Sequence, residues 1–401
     1  MRQMLSQTNA ERIITDRRYL HQHAETGFDL HDTFDYVWRQ LVQMGLSPRK
    51  CGRCGIIADI GKGEKCVILR ADMDALPIRE KTKLPFAAEG GFMHACGHDM
   101  HTAMLLEAAR MLKAEEKSLK GRVRLMFQPA EEELLGAADM LENGLLDDVQ
   151  PAAAFMIHVL TNIDLPAGTV IVSAPGVSAP AAGMFEIRIR GKGCHGAMPH
   201  TGVDPVTIAA HTVLNLQQIQ TRELSLTQPC ALTVGMLQAG DSANVIPDSA
   251  LLRGSLRAFE DETHQYLIRR MDEIARGTAE IFHGRAETKM LGGAPTLVND
   301  AGLSGKAMSA LREMLGSERV LLSSDLGGAA KKSSGSEDFA HVSHAVPALM
   351  VALAAGRPQD GYRFPAHHPQ TMFDESALPV GAAVYVQLAL CALDGSAAAE
   401  T

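Results

Sequence analysis

Cys66-Val67-Ile68-Leu69-Arg70-Ala71-Asp72-Met73-Asp74 is the stretch from which the fold is read. Its first five residues make a largely apolar run of strand length, and two carboxylates follow where the run stops. A short apolar run of this kind fits a strand buried on both faces, in a sheet covered by helices. Similar runs occur at Gly55–Ile60, Val123–Phe127, Ala152–Ile157 and Ala348–Leu353. Helical patterns lie between them, as in Thr102 to Ala114, where Met104, Leu105, Ala108, Met111 and Leu112 share a face. Ala10 to about Leu46 is also helical in spacing, through Ile13, Tyr19 and Leu20, then Phe34, Val37, Trp38 and Leu41. The alternation predicts an α/β fold with a mainly parallel, helix-covered sheet.

The pattern changes near Gly183. Phe185, Ile187 and Ile189 alternate with Glu186, Arg188 and Arg190, which marks a strand with one wet face. A helix is expected from Pro205 to about Gln220, and strands over Ala231–Met236 and Ala250–Arg257. A second helix follows from about Glu262 to His283, then a strand near Ala286–Met290. The order β-α-β-β-α-β is that of a small two-layer domain inserted into the larger one. The expected division is therefore residues 1–182 and 299–401 for the main domain and 183–298 for the insertion. Gly395 to Thr401 reads as a frayed tail.

At 401 residues the chain is long for one core. With 46% apolar and 21% charged residues it has an ordinary globular composition. A net charge of −9, with no Lys/Arg cluster denser than pairs such as Arg17-Arg18, argues against nucleic acid as a partner. Met1 to Arg12 lacks the apolar run of a signal peptide, and the most apolar stretch, Val346 to Ala355, is too short to span a bilayer. Seven cysteines without an export signal fit a reducing compartment, so a cytoplasmic protein is expected. Cys51-Gly-Arg-Cys54 has CxxC spacing, but no second pair follows at zinc-site distance, and a glycine-containing turn that holds thiols is a better reading than a redox pair.

The chemistry concentrates elsewhere. Met93-His94-Ala95-Cys96-Gly97-His98-Asp99-Met100-His101 puts three histidines, a cysteine and an aspartate into nine residues between apolar segments. Burying such a set is costly unless an ion or a proton network occupies it. Asp72 and Asp74 follow one strand, Glu131-Glu132 follow another, and His158 follows Phe155-Met156-Ile157. The carboxyl ends of strands are where sites assemble in open α/β sheets. Cys96 and His98 are two apart and can point the same way, and a thiolate with an imidazole favours zinc or another borderline transition metal. In the Glu131-Glu132 pair, one carboxylate can bind metal while its neighbour takes a proton from water. His367-His368 lies after a Gly/Pro-rich loop, and one late histidine would complete a ligand set. His21, His23 and His31 are assigned to packing or the surface.

Several segments carry a recognisable signature. They are Leu69–Pro77, Met93–His101, Gln128–Glu132, Gly191-Lys192-Gly193-Cys194-His195-Gly196-Ala197-Met198-Pro199-His200, Asn244–Asp248 and Gly335-Ser336-Glu337-Asp338-Phe339. From about Arg17 to Glu375 the chain resembles the co-catalytic metallo-amidohydrolases, a family that includes hippurate hydrolases, N-acyl-amino-acid amidohydrolases and auxin-conjugate hydrolases. The resemblance implies that Cys96, His98, Glu132, His158 and His367 hold two divalent ions, with Cys96 bridging, the ligands allowing zinc, manganese, cobalt or nickel. It implies that Glu131 is the general base and proton donor, and that His195, on an inserted lid and dimerisation domain, stabilises the oxyanion as domain closure assembles the site. Asn244 and Arg257 would contact the oxyanion and the substrate carboxylate. The expected reaction is hydrolysis of N-acyl amino acids to a carboxylic acid and an amino acid, by a homodimer or larger homo-oligomer with no nucleic-acid or membrane partner.

Other readings compete. Gly191-Lys192-Gly193-Cys194-His195-Gly196 matches GxGxxG, but Pro199 and Pro205 interrupt any following helix. Near residue 213 the chain offers Val213, Leu214, Asn215 and Leu216 in place of the acidic residue a dinucleotide site needs. A dipeptidase or carboxypeptidase breaks the same bond and differs only in its pocket. A non-catalytic metal- or ligand-binding relative would have little need for Glu131.

Overall fold

The computed structural model describes residues 8–326 and 335–394, so the expected frayed tail lies outside the described residues. The chain divides into two compact units. Among the described residues, the first comprises 8–178, 298–326 and 337–394, and the second 179–297 with 335–336.

The first unit is built on an eight-stranded sheet. In spatial order its strands are Arg49–Cys51, Gly55–Gly61, Arg122–Gln128, Lys65–Asp72, Gln150–Leu160, Ala348–Ala354, Val170–Val172 and Val320–Leu322. The four strands from Arg122–Gln128 to Ala348–Ala354 are mutually parallel, and the strand next to them on either side, Gly55–Gly61 and Val170–Val172, runs antiparallel to them. Lys65–Asp72 is buried along nearly its whole length, as its apolar run requires. Helices His98–Ala114 and Leu378–Asp394 are buried around most of their circumference and join one continuous core with Leu69, Phe127, Phe155, Ile157 and Val351.

Two expectations change. The helical spacing from Ala10 onward is two helices, Ala10–Gln22 and His31–Gln43. Between them Gly27 takes φ 57°, and the Glu25 carboxylate accepts from Asp32 N–H and Thr33 N–H, capping the second helix. Val346 to Ala355, expected to be too short to span a bilayer, is also joined by a longer apolar stretch. Among the described residues, the helical segment Glu375–Asp394 is long and apolar enough to cross a membrane. Its Leu378, Val384, Tyr385 and Leu388 are buried in the first unit's core, which accounts for the same composition.

The second unit is a four-stranded antiparallel sheet ordered Cys230–Ala239, Ser249–Ala258, Ala181–Arg190, Arg285–Ala294. Phe185, Ile187, Ile189, Leu252 and Leu256 form a core with Ile208 and Leu216 of helix Pro205–Gln218 and Leu267, Met271 and Ala275 of helix Asp261–Ile281. On the opposite face Glu186 pairs with Arg253 at 2.7 Å. The period-2 pattern places the apolar set inward and the charges outward.

Candidate active site

The first unit gathers its chemistry beyond the ends of the parallel strands. Gly97 precedes helix His98–Ala114 with φ 88°, and a Cβ there would lie 2.4 Å from Val159 Cγ2. Only glycine meets both conditions, and the turn it makes sets Cys96 and His98 on either side. Ala130 (φ 52°) and His367 (φ 66°) are non-glycine residues in the left-handed region. Such backbone costs energy and persists where surrounding structure enforces it. Ala130 leads into Glu131, while His367 N–H is tied to Ala95 O at 2.9 Å.

Five donors converge. Cys96 Sγ is 3.5 Å from His158 Nε2 and 3.4 Å from His367 Nε2. Glu132 Oε1 is 3.5 Å from His367 Nε2 and 3.9 Å from His98 Nε2. Donors sharing one zinc-type ion at about 2.0–2.3 Å stand roughly 3.3–3.8 Å apart. Cys96, His98 and His158 form one compact group and Cys96, Glu132 and His367 another, so the thiol belongs to both. His98 Nε2 and Glu132 Oε1 are buried without a hydrogen-bond partner. His98 Nδ1 lies 2.8 Å from Asp74 O and His158 Nδ1 2.8 Å from Val159 O. A carbonyl can only accept, so both rings carry their hydrogen on Nδ1 and turn a bare Nε2 toward the cluster. Tautomers, spacings and orphaned atoms together fit divalent cations.

Around this cluster lies a carboxylate-rich shell. Asp74 accepts from Glu131 N–H (3.0 Å) and Glu132 N–H (3.1 Å), so one side chain orients the whole pair. Arg70, 1% exposed, reaches Asp72 at 2.6 Å, Glu337 at 2.7 Å and Asp338 at 3.1 Å. Burial, with the negative charge of Glu337 and Glu132 adding to it, pushes the Glu131 carboxyl well above its usual range. Burial opposes charge on His98, but Asp72 and the hydrogen bonds to Asp74 and Cys96 outweigh it and raise its pKa, so a proton on Nε2 competes with a cation for the nitrogen that Nδ1–H leaves facing the cluster. Burial also pushes Asp338 up to about 8, against the pull of Arg70. The shell favours positive charge in its midst.

The sequence places Asp72 and Asp74 at a strand end and His101 in the Met93–His101 cluster without giving any of them a task, and Arg70, Glu337 and Asp338 stand in the signature segments with no role of their own. His21, assigned to packing or the surface, is buried between carboxylates, with Nδ1 2.9 Å from Asp99 and Nε2 3.1 Å from Glu80. His368 is turned aside, stacked on Phe364 at 4.4 Å. Cys51 and Cys54 donate to different carbonyls, Met140 O and Phe28 O, and burial pushes the thiols up to about 11 and 12. A redox pair would need the opposite shift.

In the second unit, His195 and Asn244 come together. His195 sits on the two-residue strand Cys194–His195, paired with Val245–Ile246, and Gly196 N–H donates to Asn244 O at 2.8 Å. No helix opens after Gly196, as a dinucleotide site would require. Ala197 N–H donates to His195 Nδ1 at 3.0 Å, so the neutral ring carries its hydrogen on Nε2, facing outward as a donor. Arg257 lies on strand Ser249–Ala258 and donates to Ser336 Oγ at 2.9 Å.

Comparison with known proteins agrees with this arrangement. Residues 68–390 match Peptidase family M20/M25/M40. N-acetylcysteine deacetylase of Bacillus subtilis (strain 168) is 37% identical over 388 residues, covering 96% of this chain and 97% of that protein. IAA-amino acid hydrolase ILR1-like 2 of Arabidopsis thaliana is 36% identical over 385 residues, covering 94% and 84%. Among solved structures, a dinuclear metal binding peptidase from the M20 family of Bacillus subtilis superposes with TM-score 0.74 at 33% identity, covering 96% and 98%. The chain belongs to the M20/M25/M40 family. It is a metal-dependent enzyme that hydrolyses amide bonds.

Proposed function

We propose that the enzyme cleaves N-acyl amino acids, hippurate-like or N-acetylated, with two divalent ions held by Cys96, His98, Glu132, His158 and His367. The observation that carries this reading is the position of Cys96 in both donor groups, beside a buried Glu131 with a raised pKa. When bound, the ions supply Lewis acidity that makes water a nucleophile at neutral pH and polarises the scissile carbonyl. Zinc, manganese, cobalt and nickel all suit the donor set.

The chain's own residues do the rest. Glu131 takes a proton from the attacking water and later delivers it to the leaving amine, a task suited to a carboxyl whose pKa has been raised. Asp74 keeps Glu131 and Glu132 in fixed orientations through their backbone N–H groups. His195 donates its Nε2 hydrogen to the developing oxyanion, for which its tautomer is already set. Asn244 supports the oxyanion, and the Arg257 guanidinium suits the substrate carboxylate.

The deacetylase and the conjugate hydrolase named above both act on amino acids carrying an acyl group, which supports this substrate class over a free peptide. The peptidase neighbour keeps a dipeptidase as the second reading. A cytoplasmic homo-oligomer belongs to the same proposal, supported by seven free thiols and by exposed Val206, Leu214 and Leu237 on the second unit. The test is amine release from a panel of N-acyl amino acids and dipeptides, before and after metal removal and reloading. Metal-restored cleavage confined to acyl amino acids is expected, while preference for free dipeptides would replace this reading with the second.

A further inference from the structure

Strand Gln150–Leu160 outruns its neighbour on one side. Its pairing with Lys65–Asp72 stops at Arg70 opposite Met156, while its pairing with Ala348–Ala354 continues to Leu160. A bare strand edge inside a protein must find other partners for its N–H groups. Two buried side chains serve here. Ile157 N–H donates to Tyr385 Oη at 3.2 Å, and Tyr385 donates to Arg70 O at 2.6 Å. Val159 N–H donates to His101 Nε2 at 2.8 Å.

The second bond determines the state of the His101 ring. A backbone N–H can only donate, so Nε2 is the bare nitrogen and the ring hydrogen sits on Nδ1. That hydrogen points at Asp72 Oδ1, 2.6 Å away, and Asp72 is held in turn by Arg70. His101 and Asp72 are both fully buried. On the other side of the same residue, His158 Nδ1–H donates to Val159 O, and the His158 ring meets the His101 ring edge-on with centroids 4.8 Å apart. Val159 is gripped through both its backbone polar groups, its N–H by His101 and its C=O by His158.

We propose that His101, held in its Nδ1–H tautomer by Asp72, is a positioning residue that stands in for the missing strand beside Val159 and thereby aims His158 Nε2. This rests on the reading of His158 as a metal ligand. Orienting partners of ligating histidines act through the ligand's direction and basicity, and losing one costs metal affinity about 10–100-fold.

The test is cobalt(II) titration of metal-stripped enzyme, following the visible ligand-field spectrum and affinity against a chelating indicator. His101→Leu removes the acceptor, His101→Gln returns one near the place of Nε2, and His158→Ala is the control. In His101→Leu, affinity for one of the two ions should fall about 10–100-fold with an altered spectrum, and His101→Gln should recover most of it. Wild-type affinity and spectrum in His101→Leu, with an ion lost from His158→Ala, would overturn the positioning role and leave the ligand reading standing. Two ions retained by His158→Ala would overturn the ligand reading, and the positioning role with it. Should leucine at 101 prevent folding, His101→Asn against His101→Gln carries the same comparison. Only glutamine reaches the Nε2 position, and equal affinity in the two variants would overturn the proposal.

Discussion

In the first unit, Cys96, His98, Glu132 and His158 stand in a corner where carboxylates, ring nitrogens and backbone N–H groups have committed partners and assigned hydrogens. In the second, His195 on one two-residue strand and Asn244 just ahead of its partner strand are exposed, held by a few local hydrogen bonds. The difference follows from what each place must do. Buried charge is tolerated only when it is paired and oriented, so the corner is built into the core and is rigid by necessity. A donor that meets substrate needs only the right hydrogen facing outward, which one backbone bond provides. Damage to the first region should therefore appear as lost metal or lost stability, and damage to the second as lost chemistry alone.

The sharpest exception is expected at Glu131, which is buried and is proposed as the base. Glu131→Gln should lower kcat by about 10²–10⁴-fold with metal content and melting temperature kept. Substantial remaining turnover would remove Glu131 as the base. Arg70→Met should show the cost of the buried corner directly. Asp72 and Glu337 lose their common counter-charge, and calorimetry at neutral pH should show about 3–5 kcal/mol less stability. An unchanged melting temperature would mean those carboxylates are neutral or otherwise paired.

His195→Ala tests the other region. It should lower kcat about 10²–10³-fold while metal content stays at the wild-type level. Parallel loss of metal would make His195 a ligand or a structural support, and the contrast between the regions would collapse.

The smallest effect concerns the second unit's own core. His264 is buried with Nε2 unpartnered, and burial lowers its pKa below the usual 6.5. Between that lowered value and 6.5 the unfolded chain binds more protons than the folded one, so stability falls as pH drops through this window. His264→Phe should flatten that part of the pH profile in urea unfolding. A profile with the same slope in both proteins would show that His264 does not titrate differently on folding.

Much of the site was legible because its donors are chemically unusual and sit where apolar runs stop. Cys96, His98, Glu131-Glu132 and His158 needed no structure to be noticed. Asp74 and His101 were harder, because their work is done on backbone groups. Which N–H lacks a strand partner depends on where Lys65–Asp72 stops pairing with Gln150–Leu160, and no local pattern records that. The helical stretch from Glu375 is expected from the sequence, but its apolar length is not, for a related reason. Small residues such as Ala382, Ala383 and Ala389 dilute its apolar character until packing shows it to be core.

The sequence by itself determined the alternation of strand and helix, the wet and dry faces of the second unit's sheet, and the residue types able to hold metal and move a proton. These are local matters of periodicity and side-chain chemistry. Tertiary structure alone decided that Cys96 belongs to both donor groups, that Asp74 orients both glutamates, and which nitrogen of His98, His101, His158 and His195 is bare. A tautomer is set by the partner across the fold, and the partner is known only once the chain has brought it within hydrogen-bond reach.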